Sequence, residues 1–132
     1  MRVVFDTNVF VSALVIPGSL SEEAYRRAIA REFQLVTSVA ILTELAGRLR
    51  AKFGWEGAAV TRALKSISRV AEVVKTEPHL DLVRDATDNR ILECAEKAAA
   101  DLIVTGDPHL LKLRRFAQTG IVKVSPFLHT LG

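Results

Sequence analysis

The stretch Arg2-Val3-Val4-Phe5-Asp6-Thr7-Asn8 decides the fold. Val3 to Phe5 run apolar without alternation, and the run stops abruptly at an acid. An unbroken apolar run marks a strand buried on both faces, and such strands occur in parallel sheets covered by helices. Asp6-Thr7-Asn8 then reads as a turn and a helix N-cap. Residues 9–15 continue as an apolar helix that ends near Pro17-Gly18. A carboxylate at the mouth of a buried strand is costly unless it is paired, so Asp6 is the first candidate functional residue.

Working outward, the same alternation repeats. Ser21 is expected to cap an amphipathic helix running to about Glu32. Phe33 to Thr37 reads as a second strand. From Ser38 a helix carries Ile41, Leu42, Leu45 and Leu49 on one stripe of 3.6-residue period and ends near Phe53-Gly54. Residues 56–69 form another helix, Val70 to Val74 a third strand, and Glu77 to Asp85 a loop around Pro78. Thr87 to Ala100 is helical. Leu102 to Thr105 is a fourth strand, Gly106-Asp107-Pro108 opens a short helix, and Ile121 to Val124 is a fifth strand. The tail is expected to pack back through Phe127 and Leu128. Short apolar strands alternating with helices specify an α/β chain, a parallel sheet covered on both faces.

Composition bounds the rest. A chain of 132 residues, 49% hydrophobic and 25% charged, suits one domain with a core of its own. Disorder is excluded, because it requires low hydrophobicity and high net charge. The single Cys94 excludes a disulfide framework or a cysteine zinc cage. It reads instead as a packed thiol. The apolar run Val9 to Ile16 is interrupted by Ser12 and falls far short of the ~20 residues of a membrane span. With no signal-peptide pattern in the first residues, a cytoplasmic protein is expected.

The net charge of +3 hides an uneven distribution. Arg26 to Arg69 holds nine Lys and Arg against three acids, whereas Glu77 to Asp107 holds eight acids against three basic residues. A basic face beside an acidic focus is a layout for binding phosphate around a metal. Ligands in such folds bind beyond the carboxyl ends of the strands, which is where Asp6, Glu44, Asp88 and Asp107 are expected to converge. Carboxylates gathered within a few ångströms do not all stay ionised without a cation. Oxygen ligands without Cys or His suit Mg²⁺ or Mn²⁺ rather than zinc. Each acid also has an ordinary reading: Asp107 before Pro108 is a normal helix start, Asp85 or Asp88 is a cap, and Glu44 is an i,i+4 partner of Arg48.

Val4-Phe5-Asp6-Thr7-Asn8, Glu44 within Ile41 to Leu45, Asp85-Ala-Thr-Asp88-Asn89-Arg90-Ile91-Leu92-Glu93-Cys94-Ala95, and Val104-Thr105-Gly106-Asp107-Pro108-His109-Leu110-Leu111 together resemble the PIN domain family. The likeness runs in order across almost the whole chain. It is nearest to the small stand-alone prokaryotic members, the VapC-like toxins of toxin–antitoxin pairs. The resemblance implies one PIN domain over residues 1–132, a three-layer α/β/α fold with a central parallel sheet and strand order 3-2-1-4-5. It implies an Mg²⁺- or Mn²⁺-dependent ribonuclease, with Asp6, Glu44, Asp88 and Asp107 as catalytic and metal-holding residues. Thr7, Asn8 and Thr105 match the polar positions that support them. It further implies an RNA substrate, a cognate antitoxin and a homodimer. Two positions depart from the family pattern: His109 stands where many members have an acid, and Asp85-Ala-Thr-Asp88 lacks one acid. The alternative is a non-catalytic PIN-like module that binds RNA or protein.

Arg90, His109, Lys112, Arg114 and Arg115 are candidate RNA contacts, and Arg48, Arg50 and Lys52 form a second basic patch. Such contacts bring affinity without sequence choice. Trp55, between Gly54 and Gly57, reads as a packing residue of a helix hairpin or a partner contact, ahead of a base-stacking platform. A receiver-domain reading fails because Asp6 is followed by Thr7-Asn8 instead of a second acid. A haloacid-dehalogenase reading fails because Asp6-Thr7-Asn8 lacks the second aspartate of that motif.

Overall fold

The computed structural model describes residues 1–132. In chain order the elements are β1 (Arg2–Phe5), α1 (Thr7–Val15), α2 (Leu20–Ile29), β2 (Gln34–Ser38), α3 (Val39–Phe53), α4 (Gly57–Val70) and β3 (Glu72–Val74). They continue with α5 (Ala86–Ala98), β4 (Leu102–Val104), α6 (Pro108–Leu111), β5 (Arg115–Phe116), β6 (Thr119–Val122) and α7 (Val124–Leu131). Strand order is β3-β2-β1-β4-β6-β5. All neighbours are parallel except the terminal β5–β6 pair.

The expected order 3-2-1-4-5 is therefore right for the parallel strands, with β6 in fifth place, and incomplete at the edge. The expected fifth strand at Ile121 to Val124 is shifted back to Thr119–Val122, because Phe116 and Thr119 close a hairpin across Ala117 and Gln118. The third strand shortens to Glu72–Val74, since α4 runs on through Val70. The second helix is capped by Ser19, not Ser21: the Ser19 side chain accepts the Glu22 N–H at 3.1 Å. The tail is a helix, α7.

The central strand is buried as its sequence requires, with Val3, Val4 and Phe5 fully enclosed. Phe5 anchors an aromatic cluster. Its ring centroid lies 5.5 Å from Phe10, 5.9 Å from Phe33 and 6.4 Å from Phe127, and Phe33 and Phe127 meet edge-on at 5.0 Å. These tilted and edge-on arrangements suit the ring quadrupole. They tie β1, α1, the start of β2 and α7 into one core. α5 packs along β1, β2, β3 and β4. Cys94 and Ala95 on its inner face are wholly buried, and burial pushes the Cys94 thiol up to about 12. Trp55 packs against the core at the α3–α4 turn, where Gly54 ends α3 at φ +63°.

From β1 the chain moves outward to β2 and β3, then returns across the sheet to β4 on the other side of β1. The reversal opens a crevice beyond the carboxyl ends of β1 and β4. Asp6 and Thr105 stand at its lip.

Candidate metal centre

Asp6 directly follows β1 and is 4% exposed. Its N–H donates to Val104 C=O at 3.0 Å, which continues the β1–β4 ladder one residue past the strand. Its Oδ2 accepts the Thr105 hydroxyl at 2.6 Å. The same Thr105 oxygen accepts the Asp107 N–H at 2.9 Å. One buried hydroxyl thus fixes Asp6 and the loop carrying Asp107 together. Asp107 caps α6, accepting the His109 N–H at 2.7 Å with Oδ1. The ordinary helix-cap reading of Asp107 and the site reading hold for the same residue.

Asp88 arrives from α5. The cap of that helix is Asp85, which accepts the Thr87 N–H at 2.9 Å, so Asp88 is left in the first turn with its side chain directed elsewhere. Asp88 is 3% exposed, and its buried Oδ2 has no hydrogen-bond partner. Each of Asp6, Asp88 and Asp107 offers an oxygen within 4.8 Å of the other two.

This crowding sets the electrostatics. Burial, then the adjacent Asp107 carboxyl, with smaller contributions from Asp6 and Asp85, pushes the Asp88 carboxyl up to about 7. Burial also raises Asp6, although the Thr105 hydroxyl opposes it. A buried carboxyl group with an unpartnered oxygen beside two others is destabilised when ionised, and a divalent cation removes that penalty. The donor set is all oxygen, so the residues present fit Mg²⁺ or Mn²⁺.

Glu44, the fourth expected carboxylate, is not in this group. It accepts Arg48 Nε at 2.8 Å one turn along α3, and Arg48 Nη1 also reaches Asn8 Oδ1 on α1. The Asn8 side chain therefore supports Arg48, while its backbone N–H helps hold the Asp6 carboxylate. Thr7 is buried in the first turn of α1 beside Asp6.

The candidate RNA contacts divide. His109 is exposed and lines an open groove of about 410 Å³ with Arg84 and Asp85. Lys112, Arg114 and Arg115 are exposed around α6 and β5, with Arg115 donating to Gln118 C=O at 3.1 Å. Arg90 is committed elsewhere: its Nε lies 2.7 Å from Glu93 Oε1, and Nη2 donates to Glu93 Oε2 at 3.0 Å and Leu80 C=O at 3.1 Å.

Glu93 and Asn89 are the residues that sequence reasoning missed. Glu93 is 1% exposed and accepts the N–H groups of His79 and Leu80, both at 2.7 Å. Burial works to raise its carboxyl, but those two N–H groups and the Arg90 guanidinium outweigh it and hold it below the usual glutamate range. Asn89 accepts from Leu82 and Val83 and donates back to Val83 C=O. Together they pin the segment leading into α5, which sets where Asp88 stands. The available signal was a charged residue inside the apolar run Ile91-Leu92-Glu93-Cys94-Ala95.

Comparison with known proteins agrees with this geometry. A family model described as "PIN domain" matches residues 2–109. An uncharacterized protein of Methanocaldococcus jannaschii is 31% identical over 119 residues, covering 86% of this chain and 76% of the relative. Among solved structures, VapBC2 from Rickettsia felis bound to a DNA fragment from its promoter superposes with a TM-score of 0.65 at 13% identity, over 93% of this chain and 98% of that one. PAE2754 from Pyrobaculum aerophilum gives 0.62 at 23% identity, over 98% and 88%. The sarcin-ricin loop cleaving toxin VapC20 of Mycobacterium tuberculosis gives 0.59 at 18% identity, over 89% and 98%. The sheet order, the aspartates at the crevice and the family match lead to one conclusion: the chain belongs to the PIN domain family.

Proposed function

We propose that the protein is a metal-dependent ribonuclease, which hydrolyses RNA phosphodiester bonds with Mg²⁺ or Mn²⁺ held by Asp6, Asp88 and Asp107. The observation that carries this reading is the buried, unpartnered Asp88 Oδ2 within reach of Asp6 and Asp107. When bound, a divalent ion at such a centre supplies an activated water and stabilises charge on the phosphate during in-line displacement. The protein's own part is positional. Thr105 orients the Asp6 carboxylate and ties the Asp107 loop to it. The backbone bond from Asp6 to Val104 keeps the two strand ends level. His109 and Arg84 offer donors along the groove beside the centre, where an RNA backbone gains affinity from such contacts.

Within this reading the protein is the toxin of a toxin–antitoxin pair, acting on cytoplasmic RNA as a homodimer and restrained by a cognate antitoxin. VapBC neighbours of the same fold support it. No helix is long and apolar enough to cross a membrane. The test compares wild type with Asp6→Asn on total RNA, with Mg²⁺ or Mn²⁺ and with EDTA. Cleavage is expected from wild type with metal alone. Equal cleavage in every sample would defeat the reading, and folded wild type that binds RNA but cleaves none would favour a non-catalytic binding module.

A further inference from the structure

A small pocket opens beside the metal centre. Asn8, Val9, Ser12, Ser21, Gly106 and Val124 line it, and its volume is about 130 Å³. Two of these residues tie it to the aspartates. Gly106 stands between Thr105, whose hydroxyl donates to Asp6 Oδ2, and Asp107, whose N–H that hydroxyl accepts. The Asn8 backbone N–H helps hold the Asp6 carboxylate. Gly106 lines the pocket and His109 lines the larger groove, so the loop carrying Asp107 borders both. The polar groups of the pocket are not spent on the protein. Ser19 caps α2 and bonds the Ser12 C=O at 3.2 Å, but the Ser12 and Ser21 hydroxyls make no hydrogen bond within the chain. Ser21 is nonetheless buried, and buried polar groups are ordinarily bonded. Asn8 Oδ1 is taken by Arg48, which leaves the Asn8 side-chain N–H groups unengaged. Val9 and Val124 supply apolar walls. A methyl group added at Gly106 would meet no atom within 4 Å, so that side of the pocket is open.

We propose that this pocket takes a pyrimidine base of the bound RNA, from a nucleotide beside the phosphate at the metal centre. This rests on the ribonuclease reading above and adds a base-selective site to it. Three observations favour a pyrimidine. A base has two apolar faces and a polar edge, which suits two valines together with two hydroxyls and an amide. The volume lies well under the ~300 Å³ at which sites for larger ligands begin, so a single six-membered ring fits better than the double ring of a purine. Uracil and cytosine share a C2 carbonyl, an acceptor for the Asn8 amide. They differ at positions 3 and 4, where a hydroxyl matches either, since it both donates and accepts. The pocket therefore selects by ring size and leaves uracil and cytosine alike.

Fluorescence anisotropy of the full chain in Ca²⁺ tests it, with single-stranded oligouridylate, oligocytidylate, oligoadenylate and an abasic strand of equal length. Wild type is expected to bind both pyrimidine strands about tenfold more tightly than the other two, the size of one base discrimination. Ser12→Leu fills the pocket and should bring all four strands to the abasic level. The double variant Ser12→Ala, Ser21→Ala keeps the pocket but removes its hydroxyls, and should lose about fivefold on the pyrimidine strands alone. Neither change touches a phosphate contact, so the salt slope of binding should stay as in wild type. Unchanged affinity for the abasic strand shows that both variants are folded. Equal binding of the four strands by wild type would overturn the proposal. So would a pyrimidine preference that survives in Ser12→Leu. The same proteins are then given total RNA with Mn²⁺. Wild type that shows the pyrimidine preference but cleaves nothing would leave the base site standing and remove the ribonuclease reading beneath it.

Discussion

In Asp88 a carboxyl group is enclosed beside Asp107, Asp6 and Asp85, and its pKa of about 7 has a consequence for stability. A carboxyl whose folded-state value exceeds its unfolded value contributes stability below about pH 4 and loses it as pH rises through about 7, since the folded state then gives up a proton it held more tightly. Metal-free protein is therefore expected to melt at a lower temperature at pH 8 than at pH 5, by about 5 °C or more for a chain of this size. In Asp88→Asn the melting temperature should vary much less over that range. Differential scanning calorimetry in EDTA checks both, and adding Mn²⁺ at pH 8 should restore the wild type alone. At this scale the sequence was most informative where the chemistry is local. Asp6 ends an apolar strand, and Asp107 precedes a proline at a helix start. Glu44 was legible both as a candidate ligand and as a partner of Arg48, and only the contact to Asn8 shows how firmly that pair is held. Glu93 was illegible because its partners are backbone N–H groups of a loop, which no pattern of side chains records.

Helices were the easiest elements to read, because their apolar stripes carry a period. Their starts were less so: Ser19 and Ser21 are both good caps, and the choice depends on which hydroxyl meets Glu22. The β5–β6 hairpin left no mark at all. Its two-residue turn favours Asn-Gly or Asp-Gly, yet Ala117-Gln118 occupies it, with Ala117 forced to φ +52°. The edge strand it adds is two residues long and too short for alternation. The segment before α5 offers the element-scale test. Glu93→Ala removes the acceptor of two N–H groups and strands Arg90, and breaking a buried charge pair this way costs about 3–5 kcal/mol. Hydrogen exchange is expected to accelerate at the amides of His79, Leu80, Leu82 and Val83 before it does in the central sheet. Protection that persists there would show that Asn89 alone holds the segment.

Across the whole molecule, the parallel order of the first four strands and the fifth followed from the resemblance, and the residues alone gave the α/β class. The tail is expected to pack back through Phe127, and the structure adds that it does so as a helix. Phe127 is fully buried against Phe5 and Phe33, so α7 braces the strand that carries Asp6 from more than a hundred residues away. Phe127→Ala should lower stability by about 3–5 kcal/mol, seen as a drop of roughly 10 °C or more in melting temperature. A drop of only a degree or two would mean that α7 is dispensable to the core.

The pairing of β1 with β4 has a meaning for synthesis. The first strand made finds its partner on one side only after residue 102, and the three aspartates come together only once residue 107 has been added. During translation the growing chain therefore carries the acids singly, far apart in sequence and without the hydroxyl of Thr105 to join them. An activity that acts on RNA would in this way be withheld from the ribosome making it until nearly the whole sheet exists.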